Sequence, residues 1–148
     1  MRALGCLPLF ILCLVLSPAT DAEMKTGEEM KKEMEAFQGE WRLTGLETDG
    51  EQRDVPDGEG ARIVFKGDRL LLGGEEKFTI KIDPTCNPKI IDLIPIEKEN
   101  KEDVLEGIYR FRGNKLTLCL RGPLRIRMRP LTFGEDNSMV VTLERSSQ

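Results

Sequence analysis

Three arginines at alternate positions, Arg125, Arg127 and Arg129, are the first group whose spacing suggests chemistry. Alternate residues of a β-strand lie on one face, so three guanidinium groups in a row would hold a carboxylate or a phosphate. On a solvated outer face the same row would instead pair with acids of neighbouring strands, which contributes little to stability. The sequence favours this second interpretation, because its 26 acids exceed its 22 bases.

Three other side chains could take part in catalysis or binding: Asp92, Trp41 and Tyr109. A carboxylate at Asp92 facing the protein interior would be costly unless hydrogen-bonded, and would be a candidate catalytic acid. Alternation instead directs Asp92 outward if its neighbours Ile91 and Leu93 are core, and we favour that interpretation. Trp41 and Tyr109 would either line a ligand pocket or lie in the core with the polar atom on a backbone carbonyl; the second is favoured.

The composition excludes several classes of enzyme and binding protein. The 148 residues contain no histidine, which removes Ser-His-Asp and Cys-His catalysis and the usual catalytic zinc sites. The acids fall in polar runs without a second motif that would make a catalytic pair. A net charge of −4 argues against a broad cationic face, so we expect no nucleic-acid partner. We also expect no catalytic residue, no metal and no cofactor.

Residues 1–22 have the pattern of a secretory signal peptide. A positive start is followed by an uncharged apolar run at residues 7–16, and small residues end at Ala19 and Ala22, two candidate cleavage sites. Ten residues of helix span about 15 Å, roughly half of a bilayer core. We therefore expect an exported protein, periplasmic or extracellular, without a stable membrane span in the mature chain.

Cysteine usage leaves one question open. Cys6 and Cys13 fall within the signal, and neither fits a lipid-anchor site, so Cys86 and Cys119 remain in the mature chain. An even pair in an oxidising compartment can form a disulfide. Cys119 also lies in an apolar run, where a free buried thiol behaves as a small hydrophobic side chain. Both interpretations stand at this point.

Residues 23–38 predict the single helix of the chain. A Thr-x-x-Glu capping box at Thr26 would begin it, and Met30, Met34 and Phe37 recur as one apolar stripe. A stripe of three residues is enough to dock one helix face, so we expect the helix to lie across the open end of a sheet.

From residue 39 to 148 the apolar period changes from 3.6 to two, which predicts eight or nine short strands. Short turns rich in Gly, Asn and Asp join most of them, as is typical of an antiparallel meander, and closure into an up-and-down barrel leaves the fewest open edges. No helix-length pattern interrupts the strands, which excludes a parallel α/β sheet. The expected strands are residues 41–44, 63–65, 70–72, 78–82, 90–94, 104–111, 116–120, 124–129 and 139–143.

Several short motifs also occur in a distinctive order. They are FQGEW at residues 37–41, IVFKGD at 63–68, DP at 83–84, PKIIDL at 88–93, GIY at 107–109, LTLCL at 116–120 and RPLTF at 129–133. This order, covering residues 36–145, resembles a family of small secreted domains abundant in planctomycete bacteria and similar to lipocalins. The resemblance implies an exported lipocalin-like barrel and no particular activity. Lipocalins stack an arginine of the last strand on the tryptophan of the first, so the resemblance implies a contact of Trp41 with Arg145 or Arg129.

Three functions follow from these observations. The first is an exported, non-enzymatic lipocalin-like module that binds a small apolar or amphipathic ligand, with Trp41, Tyr109, Arg127 and Arg129 as candidate contacts. The second is a structural or protein-interaction module with a filled barrel. The third is an enzyme that uses carboxylates such as Asp92, which the absence of a catalytic set disfavours.

Overall fold

A computed structural model describes residues 21–55, 58–97, 103–122 and 129–146. The described residues form one α-helix followed by nine strands, with a short 3-10 turn between the second and third strands. The elements are α1 (Asp21–Phe37), β1 (Gly39–Thr48), β2 (Glu51–Arg53), the 3-10 turn (Gly58–Ala61), β3 (Arg62–Lys66), β4 (Arg69–Leu72), β5 (Glu75–Asp83), β6 (Lys89–Pro95), β7 (Leu105–Arg112), β8 (Lys115–Arg121) and β9 (Met139–Arg145).

The strands form one antiparallel sheet that closes on itself. Its order is β2-β1-β3-β4-β5-β6-β7-β8-β9, and β1 also pairs with β9. The closing register runs from Trp41 opposite Arg145 to Thr48 opposite Met139, with a bulge near Gly45. Eight strands therefore make an up-and-down barrel, and β2 lies outside it, paired with the end of β1. The predicted mainly β fold with one N-terminal helix is confirmed.

The observed strands differ from the predicted set at β2, and the strand predicted at residues 124–129 lies mostly outside the described residues. Strand β2 was missed because all three of its residues are exposed and show no apolar alternation. Its signal was the turn before it: Asp49 and Gly50 have φ values of 54° and 76°, as a two-residue Asp-Gly hairpin turn requires. Of the strand predicted at 124–129, residues 124–128 lie outside the described residues, and Arg129 is not in a strand.

The helix is displaced from its predicted bounds. It spans residues 21–37 where 23–38 was expected, so Thr26 lies inside it and the capping-box prediction is wrong. Ala22, Glu23 and Met24 are strong helix formers, which lets the helix extend through the residues before Thr26. The apolar stripe is confirmed, because Phe37 belongs to the core cluster and Met30 and Met34 pack against it.

The side chains of alternate strand residues point inward and form the core that fills the barrel. Since α1 leads directly into β1, the helix lies at the barrel end where β1, β6 and β8 begin; we call this the helix end and the opposite opening the mouth. The buried core residues are Phe37, Trp41, Ile63, Phe65, Leu70, Ile80, Ile82, Ile91, Leu93, Tyr109, Leu116, Leu118, Leu120, Val141 and Leu143.

Residues 129–138, here called the outer segment, cross the outside of the wall formed by β6, β7 and β8. Pro130 is fully buried there, and Arg110 of β7 lies with its guanidinium carbon 4.1 Å from the centre of the Phe133 ring. Ile108 and Cys119 point away from the core cluster, yet only 1% and 0% of their surfaces are exposed. The outer segment therefore gives this part of the wall a second apolar layer.

Candidate functional site

Trp41 closes the helix end of the barrel. Its ring is fully buried, and its indole N–H donates to the carbonyl oxygen of Phe37 at 2.7 Å. The guanidinium carbon of Arg145 lies 4.4 Å from the Trp41 ring centre. The same guanidinium donates to the carbonyls of Ala36 at 2.7 Å and Gln38 at 2.8 Å. The contact that the resemblance implied is present, made by Arg145 and not by Arg129, and it joins β9 to the end of α1.

Tyr109 also lies in the core, beneath the helix. Only 1% of its surface is exposed, and its ring packs edge-on against Phe37 at 4.9 Å between centres. The expectation that its hydroxyl reaches a backbone carbonyl is wrong: among the described residues this buried hydroxyl has no hydrogen-bond partner. Burial raises the pKa of Tyr109 far above its usual value, and the nearby charges of Glu33 and Asp83 raise it further. The neutral phenol is thus strongly favoured in the folded protein.

Arg129 and Asp92 meet on the outer wall. Asp92 points away from the buried Ile91, as the alternation predicted, and its Oδ1 lies 2.7 Å from Nη1 of Arg129. The N–H groups of that nitrogen are directed at two backbone oxygens, those of Gly107 at 2.8 Å and Ile91 at 3.3 Å. Arg129 therefore holds the outer segment to the wall. Arg125 and Arg127 lie outside the described residues.

The structure does not gather the three described ligand contacts, Trp41, Tyr109 and Arg129, around one cavity. Trp41 and Tyr109 are core residues at the helix end, while Arg129 is on the outside of the wall. Trp41 also borders a shallow groove of about 290 Å³ on the outside, where the Arg62 guanidinium pairs with Glu40 at 2.8 Å. Because those two side chains neutralise each other at the surface, this groove offers no uncompensated charge from the pair.

Cys86 and Cys119 are both free thiols. The Cys86 thiol donates to Oδ2 of Asp83 at 3.3 Å, and the Cys119 thiol donates to the carbonyl of Thr132 at 3.7 Å. The hydrogen bond to Asp83, together with burial, raises the pKa of Cys86 above its usual value. Cys86 is therefore mostly protonated near neutral pH, where the thiol is a weak nucleophile.

The barrel mouth carries an open groove of about 420 Å³ that the sequence analysis did not identify. It forms where β4 and β6 end and where β5 and β7 begin. Four of its lining residues are apolar, and two of these, Phe78 and Leu105, also pack against the core cluster. The groove floor is thus the top of the core. The lining residues are Leu72, Lys77, Phe78, Pro95, Glu97, Asp103 and Leu105.

In the described ranges, two of the large exposed hydrophobic side chains lie beside this groove. Leu72 is 37% exposed and Ile96, next to Pro95, is 40% exposed. A further exposed hydrophobic side chain of the described residues, Leu131 at 69%, lies on the outer segment instead. Exposed apolar residues that border a concave surface are typical of a binding site, whereas single ones need no explanation.

The polar side of the mouth groove is a three-residue ion-pair group. Lys77 Nζ lies 2.7 Å from Glu75 Oε2 and 3.7 Å from Glu97 Oε1. The hydrogen bond and charge of Lys77 lower the pKa of Glu75, and the same contacts raise the pKa of Lys77. Glu75 and Lys77 are therefore both charged near neutral pH.

These groove residues could not be selected from the sequence, because each has an ordinary role in its own strand. The available signal was the apolar run continuing to the strand end, as in Leu71-Leu72 and Pro95-Ile96. A strict alternation would place a polar residue at one position of each pair.

No protein-family model, curated protein or solved structure matches the chain. Within the described ranges, no three acidic or cysteine side chains converge as a metal ion would require. No helix in the described part of the chain is both long and apolar enough to cross a bilayer.

Proposed function

We propose that this protein is an exported, lipocalin-like barrel that binds the apolar part of a small molecule in its mouth groove. The observation that carries the proposal is the apolar floor made by Phe78 and Leu105, flanked by exposed Leu72. The volume of the mouth groove, about 420 Å³, falls within the range of small-molecule sites, roughly 300–1,000 Å³. The signal pattern of residues 1–22 supports export, and the motif order supports a lipocalin-like role.

A ligand is expected to enter at the mouth, because the helix end of the barrel is closed by side chains and by α1. There, α1 covers the core, and the Trp41 and Arg145 side chains join β1, β9 and the last carbonyls of the helix. An eight-stranded barrel leaves room for side chains or for one small ligand. A ligand that enters from the mouth meets apolar surface without displacing this closure.

The proposal is tested with N-phenyl-1-naphthylamine, a neutral dye whose fluorescence rises in an apolar site. We expect saturable binding to the purified chain, and about tenfold weaker binding to the variant Leu72→Glu. Burying a fully exposed leucine contributes about 1.5–3 kcal/mol, and covering the 37% of Leu72 that is exposed contributes part of this. A carboxylate at this position loses that part and must also be desolvated against the dye.

The variant Leu131→Glu is the matched control, because Leu131 is also an exposed leucine but lies outside the groove. We expect it to bind the dye as the unaltered chain does. An unaltered chain that folds but does not bind the dye contradicts the proposal, as does an equal loss in both variants. Urea unfolding of each variant shows whether the fold is retained.

A second function, a protein-interaction module with a filled barrel, is favoured by one observation. Midway along the barrel, Ile80, Leu93 and Leu118 are only 2–3% exposed, so side chains already fill the interior beneath the groove. A folded chain that fails to bind the dye would favour this function, with exposed Leu72 and Ile96 as the contact surface for a protein partner.

A further inference from the structure

We propose that the mouth groove selects amphipathic ligands with a cationic head group, such as alkylammonium ions, over fatty-acid anions. This inference rests on the proposed function above, since it assigns a ligand class to the same groove. Three features of the groove carry it: the charges on its rim, the place of those charges relative to the apolar floor, and the uneven pairing of its single described lysine.

In the described part of the rim, the ion-pair group of Lys77 carries more negative than positive charge. Among the described lining residues, Lys77 is the sole cation, and it lies beside the lining acid Glu97. Lys77 is already paired with Glu97 and also with Glu75, so these three residues together carry a net charge of −1. Lys77 therefore does not offer an uncompensated positive charge to a fatty-acid carboxylate.

The position of this group relative to the floor decides what a head group would meet. Lys77 precedes Phe78 on β5, so a tail lying on Phe78 and Leu105 would place its head beside the Lys77 ion pairs. A carboxylate there would approach Glu97 and compete with it for Lys77. A quaternary ammonium would instead be attracted by the carboxylates of the group, without displacing either of their pairs with Lys77.

Glu97 is the carboxylate best placed to receive such a head. It lies 3.7 Å from Lys77, against 2.7 Å for Glu75, and 76% of its side chain is exposed. The looser contact leaves Glu97 able to approach a second cation. The lowered pKa of Glu75 and the raised pKa of Lys77 are consistent with these two residues staying charged through the neutral range.

The test compares three ligands with the same ten-carbon tail: decyltrimethylammonium, decanol and decanoate. Each displaces N-phenyl-1-naphthylamine from the full chain at concentrations below its own micelle formation. We expect decyltrimethylammonium to bind about tenfold more tightly than decanoate at low ionic strength, with decanol between them. The ratio falls as salt is added, because the rim charges are exposed and screened.

Two charge reversals of equal size separate the groove from the overall charge of the protein. Glu97→Lys alters the rim, whereas Glu51→Lys alters a residue of β2, outside the barrel, whose side chain is equally exposed at 74%. We expect Glu97→Lys to abolish or invert the preference for the cation, and Glu51→Lys to leave the ratio within about twofold.

The outcomes distinguish this inference from the proposed function. Decanoate binding as tightly as decyltrimethylammonium overturns the inference while the groove remains a binding site. Equal effects of Glu97→Lys and Glu51→Lys also overturn it, since the preference would then come from the net charge of −4. Failure of both the dye and decanol to bind overturns the proposed function itself.

Discussion

Gly107 is the residue at which two strands of the barrel wall leave no space for a side chain. A Cβ at this position would lie 2.6 Å from the backbone oxygen of Cys119 and 2.6 Å from Cδ2 of Leu120. Leu120 has rotamers available, but the Cys119 oxygen belongs to the β7–β8 ladder and can move only with the strand. The glycine is required here by close approach and not by backbone conformation.

Gly107→Ala is therefore expected to lower the free energy of unfolding by about 1–3 kcal/mol, the usual cost of overpacking. The control is Gly27→Ala within α1, where an added Cβ meets nothing within 4 Å. That variant should be more stable by up to about 1 kcal/mol, because alanine favours a helix over glycine. Urea unfolding measures both, and an unchanged midpoint for Gly107→Ala would contradict the steric argument.

At the scale of the elements, the end of α1 depends on a residue of β9. The last turn of α1 contains no basic residue to interact with its free carbonyls. Arg145 supplies that charge from the other end of the chain, donating to the carbonyls of Ala36 and Gln38 while stacking on Trp41. A cation at a helix C-terminus is favourable because of the helix dipole, so one side chain stabilises both the helix and the barrel closure.

Replacing this side chain by Arg145→Gln should lower the free energy of unfolding by about 1–2 kcal/mol, through loss of the dipole and cation–π interactions. Trp41 is the single tryptophan, so its fluorescence should change in the folded variant as one ring face loses its cover. Arg112→Gln, at the exposed end of β7, is the control and should stay within about 0.5 kcal/mol. Equal stability of the two variants would show that Arg145 does not join helix and barrel.

At the scale of the whole molecule, the closed barrel determines how the protein responds to alkali. Tyr109 is the single tyrosine of the chain and is enclosed by the core and α1. Its pKa in the folded state is raised by burial first and by the Glu33 charge second. In the unfolded chain the phenol returns to its ordinary pKa of about 10. Ionisation of Tyr109 is thereby coupled to opening of the barrel.

The sign of the pH dependence follows from this difference. Below about pH 10 both states keep the phenol proton, so Tyr109 does not alter stability. Above that pH the unfolded state loses the proton first, and the free energy of unfolding falls as pH rises. We expect phenolate absorbance to appear together with the loss of the β circular-dichroism signal. Phenolate absorbance preceding unfolding would contradict this.

Tyr109→Phe is the control for this prediction, because it keeps the ring and removes the titrating group. Its stability should fall less steeply with pH above about 10. At neutral pH the variant should be at least as stable as the unaltered chain, because the hydroxyl that it lacks has no hydrogen-bond partner among the described residues.

Local patterns in the sequence determined the class of fold and the direction of many side chains. The period of two identified most of the barrel strands and directed Asp92 outward, and the apolar stripe identified the face of α1 that meets the core. These features depend on residues a few positions apart, so a short stretch contains all the information needed. Strand β2 and the first residues of α1 were missed because neither has an apolar pattern of its own.

Only the tertiary structure forms the mouth groove to which we assign ligand binding. Leu72, Phe78, Pro95 and Leu105 belong to four different strands, and closure of the sheet in one register brings them to the same mouth. The same closure places Arg145 on Trp41. Arg129, which belongs to no strand, is held on the outer wall by the Gly107 carbonyl. Pairing between distant strands sets the register, and no local pattern of residue types specifies which strand ends will meet.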